Sequence, residues 1–277
     1  LYPLTPMQEG MLFHSLYDDN PGTFLEQVSC SINGIFDIYL FEQSWNELLN
    51  RHDILRTVLI TQKVKRPLQM VLKQCKINID YQDIQNLSQE QQKEFLENYK
   101  SQDRQRSFKL ERDILMRMAV FKVHQHKHEL IWTYHHILMD GWSSNLLLSQ
   151  LIEIYETLVN GQIPGLSTTP RYSSFIQWLQ QQDNEAAKNY WRQYLQGYEY
   201  PVKMPTSQFS EKGYESSTSA LELDEITTIK LEQLARKFQV TLSTIVQSIW
   251  AILLSKYHDV DDVIFGSTVS GRPAQIK

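Results

Sequence analysis

Cysteine is scarce: Cys30 and Cys75 are the only two in 277 residues, too few for a disulfide framework. Both lie in strand-like contexts and read as free thiols in a reducing cytosol. Basic tracts are missing too, and a net charge of −5 argues against a nucleic-acid partner. No long apolar run occurs; residues 249–254, the longest, fall far short of a bilayer. The N-terminus lacks the pattern of a signal peptide. These absences point to a cytoplasmic protein with neither membrane nor nucleic acid among its partners.

What is present is ordinary globular composition, 42% hydrophobic and 21% charged, with length for one large domain or two lobes. Thr5-Pro6-Met7-Gln8 offers a helix cap, a first-turn proline and a capping-box glutamine, predicting a helix over 6–17 that stops at 18–22. Val28, Cys30 and Ile32 alternate as a strand. Asp37 then caps a helix with the apolar stripe Ile38, Phe41, Trp45, Leu48 and Leu49. A strand is expected over 55–60, a hairpin over 63–73 turning near Lys65-Arg66-Pro67, and a short strand over 77–81. Ser88-x-x-Gln91 opens a polar helix to about Arg106 that buries Phe95, Leu96 and Tyr99. Residues 115–123 and 129–136 form a second hairpin. His124, His126 and His128 would share a face there and invite a metal reading. Lys122 and Lys127 flank them and Glu129 is the one nearby carboxylate, so a solvated tip is preferred.

A helix over 143–159 follows, with Leu146, Leu147, Leu151, Ile154, Tyr155 and Leu158 facing the core and Asn160-Gly161 ending it. Residues 163–171, rich in Pro, Gly, Ser and Thr, mark a lobe boundary that divides the chain into 1–165 and 166–277. Beyond it a helix carries Tyr190, Trp191, Tyr194 and Leu195. Strands over 217–223 and 263–269 bracket two helices over 225–238 and 242–257. The pattern is that of a mixed α/β protein.

The stretch that carries chemistry is 130–145. Residues 131–134 alternate as a strand ending in His135-His136. Strand geometry sends Leu130, Trp132, Tyr134 and His136 to one face and Ile131, Thr133 and His135 to the other. Divergent histidines disfavour joint ligation of one metal. Asp140 falls at a tight turn that Gly141 is expected to permit, and its carboxylate can order the loop. The N-terminus of the following helix lies beside the pair and favours negative charge developing there. A lone histidine at a strand end is commonly structural. His14, on the first helix, reads as a surface or packing residue. Arg56 reads either as a strand-edge charge or as an inward arginine supporting the His136 loop.

His135-His136-Ile137-Leu138-Met139-Asp140-Gly141 resembles the HHxxxDG signature of nonribosomal peptide synthetase condensation domains, relatives of chloramphenicol acetyltransferase. Four further blocks match in family order: residues 4–14 (LTPMQEGMLFH), 51–57 (RHDILRT), 171–178 (RYSSFIQW) and 265–273 (FGSTVSGRP). The resemblance covers the whole chain. Epimerase-type relatives usually continue with Ser-Trp-Arg after Asp-Gly-x, whereas Trp142-Ser143-Ser144-Asn145 stands here. Heterocyclising relatives place aspartate where His135 stands, and non-catalytic recruitment modules of this fold usually show a degraded motif.

The resemblance implies two acetyltransferase-like lobes in a V-shaped pseudodimer, the second lobe incomplete in this chain, with the histidine motif in a tunnel between them. It implies amide-bond formation between an acyl or peptidyl donor and an aminoacyl acceptor, each a thioester on the phosphopantetheine of a carrier protein. Donor and acceptor peptidyl carrier proteins and a neighbouring adenylation domain are the implied partners. No cofactor or metal is bound directly. His136 faces the tunnel with His135 packed behind it, and His135, Asp140 and Gly141 complete the motif. Trp142 and Ser143 line the tunnel. Asp140 pairs with Arg272, with Arg56 as the fallback. The Met7–Gly10 and 137–142 stretches lean toward a D-configured donor.

Overall fold

The structure, a computed structural model, describes residues 1–17, 22–165, 169–198, 219–269 and 271. In chain order these form β1 (Tyr2–Pro3), α1 (Pro6–Tyr17), β2 (Leu25–Asn33), α2 (Ile38–Arg51), a 3-10 turn (Asp53–Arg56), β3 (Thr57–Ile60), β4 (Leu68–Val71) and β5 (Asp80–Asp83). They continue with α3 (Gln89–Gln105), β6 (Met116–His124), β7 (Lys127–His135), α4 (Gly141–Val159), α5 (Tyr172–Gln180), α6 (Asn184–Tyr194), α7 (Glu225–Phe238) and α8 (Leu242–His258). Two compact units result, one built on Leu1–Gln182 and the other on Asp183–Ser270. The first unit thus reaches past residue 165 to take in α5, whose Tyr172 ring lies 6.1 Å from that of Tyr2.

A four-stranded sheet of order β2-β7-β6-β5 organises the first unit. β7 pairs antiparallel with both β2 and β6, and β5 runs parallel to β6. The expected period-two alternation of β7 holds. Leu130, Trp132 and Tyr134 enter the main core with Trp45, Leu48, Leu147, Leu151 and Ile154 from α2 and α4. Ile131 turns the other way, into a smaller cluster with Phe121, over which Phe95, Leu96 and Tyr99 of α3 pack. Burying side chains of this size is worth about 1.5–3 kcal/mol each. The capping predictions hold as well. Asp37 accepts from the N–H groups of Tyr39 and Leu40, and Ser88 and Gln91 form a reciprocal capping box.

Several expectations shift. Leu55 lies in the 3-10 turn rather than a strand, because Arg56 and Asp53 pair across it and close it. The hairpin expected over 63–73 is instead β3 against β4, and Lys63, Lys65 and Arg66 all fall in the connecting loop. The strand expected over 77–81 begins only at Asp80. Before it, side chains of α2 satisfy the backbone: Asn46 bonds both Ile77 N–H and Ile77 C=O, and Glu42 accepts from Ile79 N–H at 2.9 Å. Cys75 lies outside any strand, and both cysteines are free thiols whose pKa burial raises. The hairpin reverses between His124 and His128, so the three tip histidines do not share one strand face. His128 is buried 4.9 Å from the Phe36 ring. No group of ligating side chains suited to a metal occurs among the described residues.

The second unit consists of helices, with Asp183, Asp224 and Thr241 each accepting at an N-cap. The strands expected over 217–223 and 263–269 are not formed among the described residues. Residues 219–224 and 263–269 have no ladder partner, and a strand exists only through its ladder. Residues 217 and 218 lie outside the described set. No single helix among the described residues is long and apolar enough to cross a membrane.

Candidate active site

The histidine pair closes the central strand β7, between α1 and the start of α4, and four separate anchors hold the loop that follows. His136 N–H donates to Phe24 C=O at 2.8 Å, extending the β2–β7 ladder by one residue. Ile137 N–H donates to His135 Nδ1 at 3.1 Å, and Leu138 N–H to His135 C=O at 3.1 Å. Gln8 Nε2 of α1 donates to Ile137 C=O at 3.1 Å and is itself paired with buried Gln69. Gln8 reaches there because the capping box at Thr5 fixes the first turn of α1, its Oε1 accepting from Thr5 N–H at 3.0 Å. Finally Asp140 caps α4, its carboxylate accepting from Ser143 N–H at 2.7 Å. α4 therefore starts at Gly141, two residues before the expected start.

The two rings differ sharply. His135 is 4% exposed. Its Nε2 lies 3.2 Å from Ser15 Oγ, and burial and the neighbouring His136 hold its pKa down at about 4. His135 also lies on the wall of a cavity of about 650 Å³ bounded by Leu12, Ser15 and Leu16 of α1 and by Phe108, Leu110 and Arg112. His136 does not line that cavity. It is partly exposed, and its Nδ1 is buried without a hydrogen-bond partner among the described residues.

Gly141 is helical rather than left-handed, and an added Cβ there would meet nothing within 4 Å. The tight turn expected to require glycine is replaced by a capped helix start, where any residue's backbone fits. Trp142 is 63% exposed and Ser143 is partly buried. Leu146, expected in the core, is 58% exposed because its position on α4 falls outside the buried Leu147–Leu151–Ile154 face. Arg56 is turned inward, but toward its own hairpin. Its Nε donates to Leu49 C=O at 3.1 Å, Nη1 to Leu72 C=O at 2.5 Å and Nη2 to Asp53. With all three nitrogens engaged, it ties α2 to β4 instead of pairing with Asp140. Arg272, the expected partner of Asp140, lies outside the described residues.

One network had no sequence expectation. Asp103 of α3, 6% exposed, accepts from Arg117 Nε of β6 at 2.5 Å, from Gln27 Nε2 of β2 at 3.0 Å and from Thr133 Oγ1 of β7. Burial pushes the Asp103 carboxyl up, and the Arg117 and Thr133 bonds more than offset it, leaving it below the usual carboxylate range. The Arg117 guanidinium lies 4.4 Å over the Phe108 ring, which forms part of the cavity wall beside His135. A threonine inside the otherwise apolar run 130–134 is the one sequence signal that pointed here.

The sequence and the fold have known counterparts. The condensation-domain family model matches residues 1–277. Tyrocidine synthase 2 of Brevibacillus parabrevis is 42% identical over 277 residues, which is all of this chain and 8% of that protein. Surfactin synthase subunit 2 of Bacillus subtilis (strain 168) is 41% identical, with the same coverage. Among solved structures, the first condensation domain of the calcium-dependent antibiotic synthetase, in complex with a substrate analogue, superposes with a TM-score of 0.74. It shares 18% identity, over 96% of this chain and 65% of that one. At such identity the likeness concerns the fold. The chain spans less than a tenth of the length of either curated relative, and it belongs to the condensation-domain family.

Proposed function

We propose that the protein forms an amide bond between two carrier-bound substrates in nonribosomal peptide synthesis. The acceptor's α-amine attacks the donor's thioester carbonyl, an N–C bond forms, the C–S bond breaks, and the donor's thiolate leaves and takes up a proton. The growing chain then rests on the acceptor carrier protein. Both substrates arrive on phosphopantetheine arms, which bind as parts of the substrates and not as resident cofactors.

The observation that carries this reading is the loop from His136 to Asp140, intact in sequence and fixed by Phe24, His135, Gln8 and the Asp140 cap. Ile137, Leu138 and Asp140 are each anchored, and the His136 ring is not. Because Nδ1 is enclosed, Nε2 is the ring atom that meets the substrate amine. An α-amine with a pKa of about 8 needs little help to become neutral, and a neutral imidazole can accept its proton. Among the described residues nothing accepts from Nδ1, so an imidazolium here lacks the partner that stabilises it in a catalytic triad. That favours His136 as the group that holds the amine in line, with proton transfer secondary. Positioning two tethered reactants supplies up to about 7–11 kcal/mol. His135, Asp140 and Gly141 act as positioning residues, Trp142 and Ser143 flank the approach, and Arg272 pairs with Asp140.

Mass spectrometry of carrier-bound products tests this. The protein is mixed with a donor thioester on one carrier protein and an aminoacyl thioester on another. The expected product is the extended chain on the acceptor carrier, formed faster from a donor ending in a D-residue. Hydrolysed donor alone, with the acceptor unchanged, would sink the proposal.

A further inference from the structure

Ser15 stands on the third turn of α1, in no motif assigned a role above, and meets the buried face of His135. Its hydroxyl donates to Met11 C=O at 2.8 Å. A hydroxyl carries one proton, so toward His135 Nε2, 3.2 Å away, the Ser15 oxygen presents a lone pair. That arrangement suits a ring nitrogen that carries hydrogen. At the opposite edge of the ring, Nδ1 faces the N–H of Ile137 at 3.1 Å, and a backbone N–H only donates. That nitrogen must be bare. Two independent contacts thus select the same neutral tautomer, with hydrogen on Nε2.

We propose that Ser15 is a positioning residue for the reaction: it fixes His135 as the Nε2–H tautomer so that Nδ1 holds the Ile137 N–H and sets the loop that aims His136. The reversed tautomer would place N–H against N–H at Ile137 and lone pair against lone pair at Ser15. An imidazolium would also lose the Ile137 bond, in keeping with the downward shift of this group. Ile137 is the residue where the effect converges, because its C=O is held by Gln8 while its N–H is held by His135. Ring contacts support the placement: Phe24, whose C=O takes the His136 N–H, lies 6.2 Å from the His135 ring. The tautomer itself is independent of the proposed function. Its effect on turnover rests on that reading.

Imidazole nitrogen NMR of the 15N-histidine-labelled protein near neutral pH tests the tautomer directly, without any assay of activity. The expected result is one His135 species with the proton on Nε2. Ser15→Ala should give a mixture of tautomers and faster hydrogen exchange at the Ile137 amide. It should also lower kcat by about tenfold, the scale of one net hydrogen bond of about 1.4 kcal/mol, with KM little changed. Ser15→Thr, which keeps the hydroxyl, should restore the single tautomer. A wild-type His135 that is charged or carries its proton on Nδ1 overturns the proposal whatever the variants do. So does Ser15→Ala with an unchanged tautomer and an unchanged Ile137 amide. If the NMR result holds and no extended product forms in the carrier-protein assay, the proposed function fails and the tautomer lock stands.

Discussion

The two faces of β7 solve opposite problems. On the odd-numbered face, Thr133 and His135 are polar and fully partnered, by Asp103, Ser15 and the Ile137 N–H. On the even-numbered face, Trp132 lies 5.1 Å from Trp45 and 4.7 Å from Tyr134. There the indole nitrogens of Trp45 and Trp132 are buried without partners among the described residues, as is Nδ1 of His136, next in the alternation. Satisfied polar networks fix geometry, whereas an apolar face with unspent donors leaves a ring free to engage something else. One face is therefore a frame, and the other delivers the group meant to meet substrate.

Breaking the frame should have the largest effect. Asp103→Ala leaves the Arg117 guanidinium, 16% exposed, without its carboxylate and removes the acceptor that Thr133 Oγ1 and Gln27 Nε2 share. A loss of about 3–5 kcal/mol is expected in denaturant unfolding, and a loss under about 1 kcal/mol would show that the network is incidental.

Acid acts on the same face through His135. In the unfolded chain this histidine takes up a proton near pH 6.5. In the fold it resists until about pH 4. Between those values the unfolded state binds more protons, so stability should fall as pH drops across the window, by on the order of 3 kcal/mol at its lower end. Burial lowers His52 and His128 in the same direction and adds to the slope. Unfolding midpoints measured from pH 7 to 4 check this, and a flat profile would contradict it.

Two smaller effects sharpen the contrast. Gln8→Leu removes the bond to Ile137 C=O and the donor to buried Gln69 Oε1, leaving Gln69 its bond to Pro3 C=O, for an expected cost of about 1–3 kcal/mol and a measurable drop in turnover. Asp140→Ala removes the α4 cap, worth about 1 kcal/mol in a thermal melt. Asp140→Asn keeps a capping oxygen, so any excess loss in that variant reports the proposed charge pairing with Arg272. The double variant with Arg272→Ala should then cost less than the sum of the two.

Local chemistry made much of this readable beforehand. Thr5 and Gln8, Asp37, and Ser88 with Gln91 announced their caps, and the alternation through 130–134 assigned both sheet faces. What escaped was long-range bonding. No spacing shows that Gln8 reaches across 129 residues to Ile137, or that Asp103 gathers Gln27, Arg117 and Thr133. The sequence leaves Arg56 open between a strand-edge charge and an inward support of the His136 loop, and its actual target is set by three acceptors brought together only by folding. Strands 217–223 and 263–269 were predicted from composition, and composition does not supply a ladder partner. Gly141 suggests a tight turn by its residue type, while the backbone there is an ordinary helix start.

The central claim is that the pair divides its labour, His135 holding the loop and His136 meeting the amine. Product formation by purified His136→Ala, confirmed as folded by circular dichroism and melting, tests that division most directly in the carrier-protein assay. The account predicts a fall of at least about a hundredfold, the scale of loss when a reactant is misplaced by about 1 Å, with the melting temperature nearly unchanged. Near-normal turnover from a well-folded His136→Ala protein would contradict it.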